Sequence, residues 1–294
     1  MTLIAQLSDP HIREPGRIAY GRVDTADYLR RAVASLMALP QQPDAVLITG
    51  DLVDFGRRQE YEHLASLLAP IRVPLYLLPG NHDDPAMMRQ CFPEHAYLQQ
   101  PMADGFMQYC ARIGPLRLIS LDTTVAGQSH GALCAQRLDW LDQTLAACTG
   151  EPVIVAMHHP PFTTLIGHMD EIGLLSGIDE LKSIIARHPN VERIVCGHLH
   201  RAIDVRFAGT LASTSPAPAH QVCLDLSPQA ASQFRMEPPG FRLHAYTPQT
   251  GVVTHLAAIG DHDGPYPFHE PGGALIDGPA VIAEQLPMPL LASV

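Results

Sequence analysis

Ala45-Val46-Leu47-Ile48-Thr49-Gly50-Asp51 is an apolar run that ends on a glycine and a carboxylate. The run reads as a strand, and Gly50 lets the backbone turn sharply off its end. Asp51 is thereby left at the tip. Four other segments repeat the design. Leu3 to Leu7 leads to Asp9-Pro10-His11, and Leu75 to Leu78 leads to Gly80-Asn81-His82-Asp83. Val153 to Met157 leads to His158-His159, and Ile194 to Cys196 leads to Gly197-His198-Leu199-His200. Parallel strands that finish side by side would gather these tips at one edge of a sheet. Asp, Asn and His would meet there in numbers suited to two divalent cations. Paired cations of this kind usually carry out phosphate ester hydrolysis.

Amphipathic segments lie between the runs. Thr25 to Leu39 reads as a helix with Leu29, Val33, Leu36 and Met37 on one face, and Pro40 and Pro43 stop it. Arg58 to Leu68, Ala135 to Ala147 and Asp179 to Arg187 read as further helices. Val73 to Leu78 reads as a strand, with Pro74 at its start, where proline is tolerated. Strand and helix in alternation predict α/β architecture with largely parallel pairing. Residues 84–115 carry Pro85, Pro93, Pro101 and Pro115 and are expected to form a cap or lid beside the site. After His200 the rhythm changes. Ala202 to Phe207, Thr210 to Ser213, Phe241 to Tyr246 and Val252 to Ala258 read as strands joined by turns. They predict a second, partly antiparallel sheet packed on the first. One catalytic unit is expected over residues 1–259. The glycine- and proline-rich stretch 260–294 is then a tail, expected to dock on its own domain or on a partner subunit in a homo-oligomer (a dimer or larger).

With 294 residues the chain is long enough to bury a substantial core. Its 46% hydrophobic and 17% charged content is that of a globular protein, and no apolar stretch approaches a membrane span. The chain reaches Asp9 and His11 too soon for an export signal, so the cytoplasm is the expected setting. A net charge of −11 disfavours bulk nucleic acid as a partner. A small anionic substrate remains compatible, because bound cations reverse the local sign. The six cysteines are scattered, without a C-x-x-C pair, and read as reduced, small hydrophobes.

The donor chemistry can be read residue by residue. Asp9 and His11 stand two apart, so on an extended chain both point the same way and reach one cation. The Asp51 carboxylate has two oxygens and can bridge two cations. Asn81 offers an amide oxygen, and His158, His198 and His200 offer imidazole nitrogen. Mixed oxygen and nitrogen donors suit Zn, Mn, Fe or Co better than Ca. No cysteine stands among them, which argues against a structural zinc site. Taken singly, a histidine is more often an ordinary half-buried residue, and an aspartate after glycine more often a turn or cap residue. The joint pattern at five tips carries the reading. His63, His95, His130, His188, His244, His255, His262 and His269 stand outside it and are expected to be structural.

The five tips, with His158-His159-Pro160-Pro161 read in full, resemble the signature of calcineurin-like metallophosphoesterases. Within that superfamily the chain is most similar to class III cyclic-nucleotide phosphodiesterases and the bacterial glycerophosphodiesterases related to them. Gly50-Asp51-Leu52-Val53-Asp54, Glu60-Tyr61 and the stretch Ser213 to Val222 match as well. The resemblance implies a four-layer α/β/β/α sandwich of two mixed sheets flanked by helices. It implies that Asp9, His11 and His200 hold one metal, that Asn81, His158 and His198 hold a second, and that Asp51 bridges them. It makes Asp51 and His82 the catalytic pair and places Asn81, His82 and His220 against substrate. His82 would contact phosphate or assist the leaving group, with Asp83 a candidate to orient it. His159 would be a supporting residue or a weak substrate contact. Pro10 departs from the threonine of many relatives but lies between donors. The implied activity is metal-assisted hydrolysis of small phosphodiesters, cyclic nucleotides or glycerophosphodiesters, by two divalent ions drawn from Fe, Zn, Mn and Co. The alternatives are a phosphomonoesterase or protein phosphatase of the same superfamily, or a non-catalytic scaffold. The scaffold is disfavoured because every donor position is filled.

Overall fold

The computed structural model describes residues 1–100 and 102–276. β1 (Thr2–Leu7), β2 (Ala45–Thr49) and β3 (Leu75–Leu78) pair in parallel, in that order. β4 (Tyr109–Ile113), β5 (Leu116–Leu121), β6 (Val153–Met157) and β7 (Val191–Cys196) build the second sheet. β8 (Ile203–Phe207) and β9 (Thr210–Thr214) complete it, with β9 parallel to β7 and β8 antiparallel at the edge. β10 (Gln221–Val222) and β11 (Phe234–Arg235) form a small separate ladder. β12 (Gly240–Thr247) returns to the first sheet antiparallel to β1, and β13 (Gly251–Ala258) closes that edge.

The helices are α1 (Thr25–Met37), α2 (Arg58–Leu68), α3 (Pro85–Cys91), α4 (Ala135–Ala147), α5 (Gly167–Asp170) and α6 (Ile178–Arg187). Local chemistry sets their starts. The Asp24 carboxylate accepts from Asp27 N ahead of α1, and the Glu60 carboxylate accepts from Phe55 N and Arg57 N ahead of α2. The period of two along each strand then assigns the layers. In β2, Val46 and Ile48 pack with α1 and α2, while Ala45 and Leu47 face the second sheet. In β6, Ile154 and Ala156 face the first sheet, while Val153, Val155 and Met157 pack with α4 and α6. Both sheets are therefore covered on both sides, which is why these strands read as unbroken apolar runs. The four-layer sandwich of two mixed sheets is the observed architecture.

Two expectations need correction. The second sheet does not begin after His200: it begins at β4, and the late strands divide between the sheets. β8 and β9 join the second and β12 and β13 join the first. Local sequence marks a strand, but its partner is set by long-range packing, here by Thr2 against Tyr246 through Gln6 against Arg242. The tips consequently do not line one sheet edge. β1, β2 and β3 bring theirs from one sheet, β6 and β7 from the other.

Residues 84–115 contain α3, two short 3₁₀ turns and β4, and their Met88, Phe92, Leu98 and Met107 join the core of the first sheet. All six cysteines are free thiols, with Cys134 exposed and Cys91 and Cys110 half-buried. The chain divides into a unit Met1–Gly260 and a unit Asp261–Val294. In the second unit His269 pairs with Leu275, and Tyr266 OH donates to Asp263. The expected tail lies outside the described residues from 277 onward. Among the described residues no helix is long and apolar enough to cross a membrane.

Candidate metal centre

The backbone at each tip makes the approach possible. Gly50 adopts φ +87°, and a Cβ there would meet the His158 ring and the Gly80 backbone. A Cβ on Gly80 would meet Asp51. Glycine at both positions lets β2 and β3 deliver Asp51 and Asn81 side by side. Asp9, His11, Asp51, His198 and His200 all sit at positive φ (54°, 44°, 47°, 70° and 51°). Such residues persist only where their surroundings over-determine them, and they cluster at functional sites.

The side chains converge on two adjoining points. His11 Nε2 lies 3.1 Å from His200 Nε2, and His200 Nε2 lies 3.7 Å from Asp9 Oδ1. His11 Nε2 is 3.5 Å from Asp51 Oδ2. The other Asp51 oxygen, Oδ1, is 3.4 Å from His158 Nε2, which is itself 3.1 Å from Asn81 Oδ1. His198 stands in the same group, its ring 5.1 Å from that of His158, and its buried Nε2 has no hydrogen-bond partner among the described residues. Backbone carbonyls set the tautomers. His158 Nδ1–H donates to Thr49 O at 2.9 Å and His200 Nδ1–H to His220 O at 3.1 Å. Each ring is thereby left with Nε2 facing the centre.

These donors fit cations. Two ring nitrogens 3.1 Å apart repel unless a proton or a cation lies between them. Asp9–His11–His200, Asp9–Asp51–His158 and His158–His159–His198 each offer donor atoms mutually within 4.8 Å. All of these residues are buried. The charges are tuned accordingly. Burial raises the Asp51 carboxyl, but His158, His82 and His11 outweigh it and hold the group well below the usual range. Burial pushes Asp9 up to about 6, with Asp51 adding to it. Burial lowers His158, yet Asp51 and Asp9 carry it up to about 9. Burial, with His158 beside it, drives His198 down to about 3.

Around the donors lies a cavity of about 440 Å³. His82 lines it, half-buried, and its Nδ1–H donates to Asp54 O at 2.8 Å, so Nε2 is left to the cavity. Asp83 does not orient His82. Its carboxylate accepts from Leu52 N, Gly80 N and Tyr61 OH, turned away because adjacent residues diverge. His220 is 3% exposed, its ring 4.6 Å from His200, and it too lines the cavity. His159 has both nitrogens engaged, Nδ1 with Thr123 OH at 2.8 Å and Nε2 with Ser129 O at 3.1 Å. It therefore has no free lone pair for a cation, despite its place in the cluster. Sequence reasoning missed four participants. Asp54 stands 3.4 Å from His11 Nδ1 and 3.1 Å from Arg13 Nη1; its place in Gly50 to Asp54 was the available signal. Tyr20 (φ +52°), His168 and Phe234 also line the cavity, and no local pattern marks them.

Comparison with known proteins agrees with this geometry. The chain is 34% identical over 275 residues to a probable glycerophosphodiester phosphodiesterase, GpdQ, of Arcobacter nitrofigilis, spanning 94% of this chain and 100% of that one. It is 30% identical over 276 residues to a cAMP/cGMP dual specificity phosphodiesterase of Mycobacterium tuberculosis, spanning 92% and 84%. Among solved structures, a dimetal phosphatase from Danio rerio superposes with a TM-score of 0.58 at 16% identity, over 88% of this chain and 99% of that one. That last likeness speaks for the fold alone. The match to the calcineurin-like phosphoesterase family runs over residues 2–202, from β1 past the last of the five tips. This chain belongs to that family, whose chemistry depends on divalent metal ions.

Proposed function

We propose that the chain is a dinuclear metal-dependent phosphodiesterase for small diesters, either cyclic nucleotides or glycerophosphodiesters. One observation carries the reading: the two oxygens of Asp51 face two different donor sets, Oδ2 toward His11 and Oδ1 toward His158. Asp9, His11 and His200 would hold one cation, Asn81, His158 and His198 the other, and Asp51 both. Bound cations would activate water near neutral pH and offset charge on the phosphoryl oxygens; Fe, Zn, Mn and Co suit the donor set. Asn81 and His82 contact the phosphoryl group, and the hydroxyl of water adds in line as one ester bond breaks. As an imidazolium, its Nδ1–H held by Asp54 O, His82 would give its Nε2 proton to the departing alkoxide, and the proton released by the attacking water would restore that form. His220 borders an ester arm.

A diester is favoured over a monoester because, among the described residues, neither lysine nor arginine lines the cavity. A dianionic monoester would find no permanently charged side chain beyond the metals, whereas a monoanionic diester would not need one. Names of the relatives point the same way. The same reading places the reaction in residues 1–259. Segment 84–115 serves as a cap: its Pro85 and Phe106 line a second cavity, of about 350 Å³, that shares Asn81. It includes a homo-oligomer in the cytoplasm. Tyr266 and Phe268, 70% and 81% exposed, offer apolar surface to a partner, and sedimentation of the full chain tests this part.

The experiment is a panel of diesters and monoesters assayed with protein loaded separately with Mn, Zn, Fe or Co. Diesters should be turned over at least about tenfold more efficiently than monoesters of the same leaving group. Full loading at two cations per chain without diester hydrolysis would overturn the reading.

A further inference from the structure

His168 lies outside every motif quoted above, yet it faces the same cavity as the metal donors. Its Nδ1 is buried and has no hydrogen-bond partner among the described residues. An orphaned buried nitrogen costs stability, and a ring that keeps one at the wall of a binding cavity calls for a functional reason. The turn that carries His168 is fixed. The Asp170 carboxylate accepts from Thr164 N and Thr164 OH at 2.7 Å each and from Leu165 N at 3.0 Å. Gly131 N donates to Gly173 O at 3.0 Å, and Leu175 N donates to Gly131 O at 2.9 Å, so the next stretch is tied to the loop bearing Ser129. His159 holds that loop from behind through Ser129 O. The wall formed by Ser129, His168, Met169 and Ile172 is therefore built before any ligand arrives.

Its chemistry selects an arm. Met169 and Ile172 offer apolar contact to carbon, while Ser129 and His168 offer donors and acceptors. An imidazole has two ring nitrogens that can serve as donor or acceptor, which matches a hydroxyl. A second anionic group would need a cation, and among the described residues no lysine or arginine lines the cavity. We propose that His168 is a specificity-determining residue that recognises a hydroxyl on one ester arm of the substrate. This rests on the phosphodiesterase reading above. Hydroxylated arms have two sources, a glycerol moiety or the 2′-position of a ribose, and matched pairs distinguish them.

The test compares wild type, His168→Ala and His168→Gln on two pairs. One pair is glyceryl and propyl p-nitrophenyl phosphate; the other is 3′,5′-cyclic AMP and its 2′-deoxy analogue. Each compound is measured for kcat/KM, and for binding by calorimetry, which reads the pair even where turnover is absent. For one pair, wild type should prefer the hydroxylated member, and His168→Ala should cut that preference about tenfold. His168→Gln, which keeps a donor and an acceptor, should recover part of it. The pair that responds identifies the arm. Preferences within twofold of wild type for both pairs, or equal losses on all four compounds, would overturn the proposal. Binding preferences that collapse in His168→Ala while wild type turns over none of the four would leave this inference standing and sink the phosphodiesterase reading instead.

Discussion

At the scale of single residues, the proposed centre separates groups that would hold cations from groups that would orient them. Asp51 turns one oxygen to each donor set, so Asp51→Ala should remove most bound metal and nearly all activity. Metal analysis after dialysis checks the first and a diester assay the second. His82 has a different signature. Its replacement by Ala should spare metal content and lower kcat by about 10²- to 10³-fold, the range expected for a lost general acid. Parallel loss of metal would place His82 among the ligands. Asp54 touches His11 on the face away from the donors, so Asp54→Ala should weaken cation affinity by about 10- to 100-fold while leaving the donor set whole. A metal titration reads that shift. The sequence marked the residues that converge, because each stands just past an apolar run. It could not show that His159 spends both nitrogens on Thr123 and Ser129, nor that Asp83 turns toward Tyr61. Those facts depend on neighbours more than twenty residues away.

At the scale of elements, the strands were legible and their partners were not. β2 is unmistakable in Ala45 to Thr49, since both faces are buried. β12 alternates apolar and polar residues, Phe241, Leu243 and Ala245 with Arg242 and His244, but nothing within Gly240–Thr247 says that it pairs with β1 at the far end of the chain. The meeting of two sheets at one centre follows from that pairing and was hidden with it. The close approach of β2 and β3 also makes a prediction. In Gly80→Ala, the added methyl would run into Asp51 and the His158 ring, both packed among buried groups. The variant should keep its helical circular dichroism, lose stability by about 1–3 kcal/mol, and bind less metal. Chemical denaturation and metal analysis would show whether the two losses occur together.

At the scale of the molecule, the metal-free protein should be acid-sensitive. Burial holds His198, His220 and His244 each down to about 3, with Arg193 and Arg242 contributing at His244. An unfolded histidine titrates near ~6.5. The depressed folded values mean that the unfolded chain binds more protons below that point. Stability is then complete above pH ~6.5 and falls as pH drops toward 3. Asp9 opposes this over a narrower window, because its raised value of about 6 favours the fold as acid is added. His158, raised to about 9, adds stability that is full below ~6.5 and lost as pH climbs through 9. Melting curves of chelated protein should therefore peak near pH ~6.5, falling toward acid as the buried histidines are forced to charge and falling toward pH 9 as His158 loses its proton. His244→Gln, outside the donor set, should flatten the acid limb.

The left-handed backbone at five donor-bearing residues reaches beyond catalysis. Conformations that cost free energy, crowded with lone pairs and carboxylates, are tolerable when a counter-ion rewards them. Starved of its cation, the chain should open more often and be cut sooner, which limited proteolysis with and without chelator would measure. Supply of the ion would then govern how many copies survive in the cell, as well as how fast each one turns over.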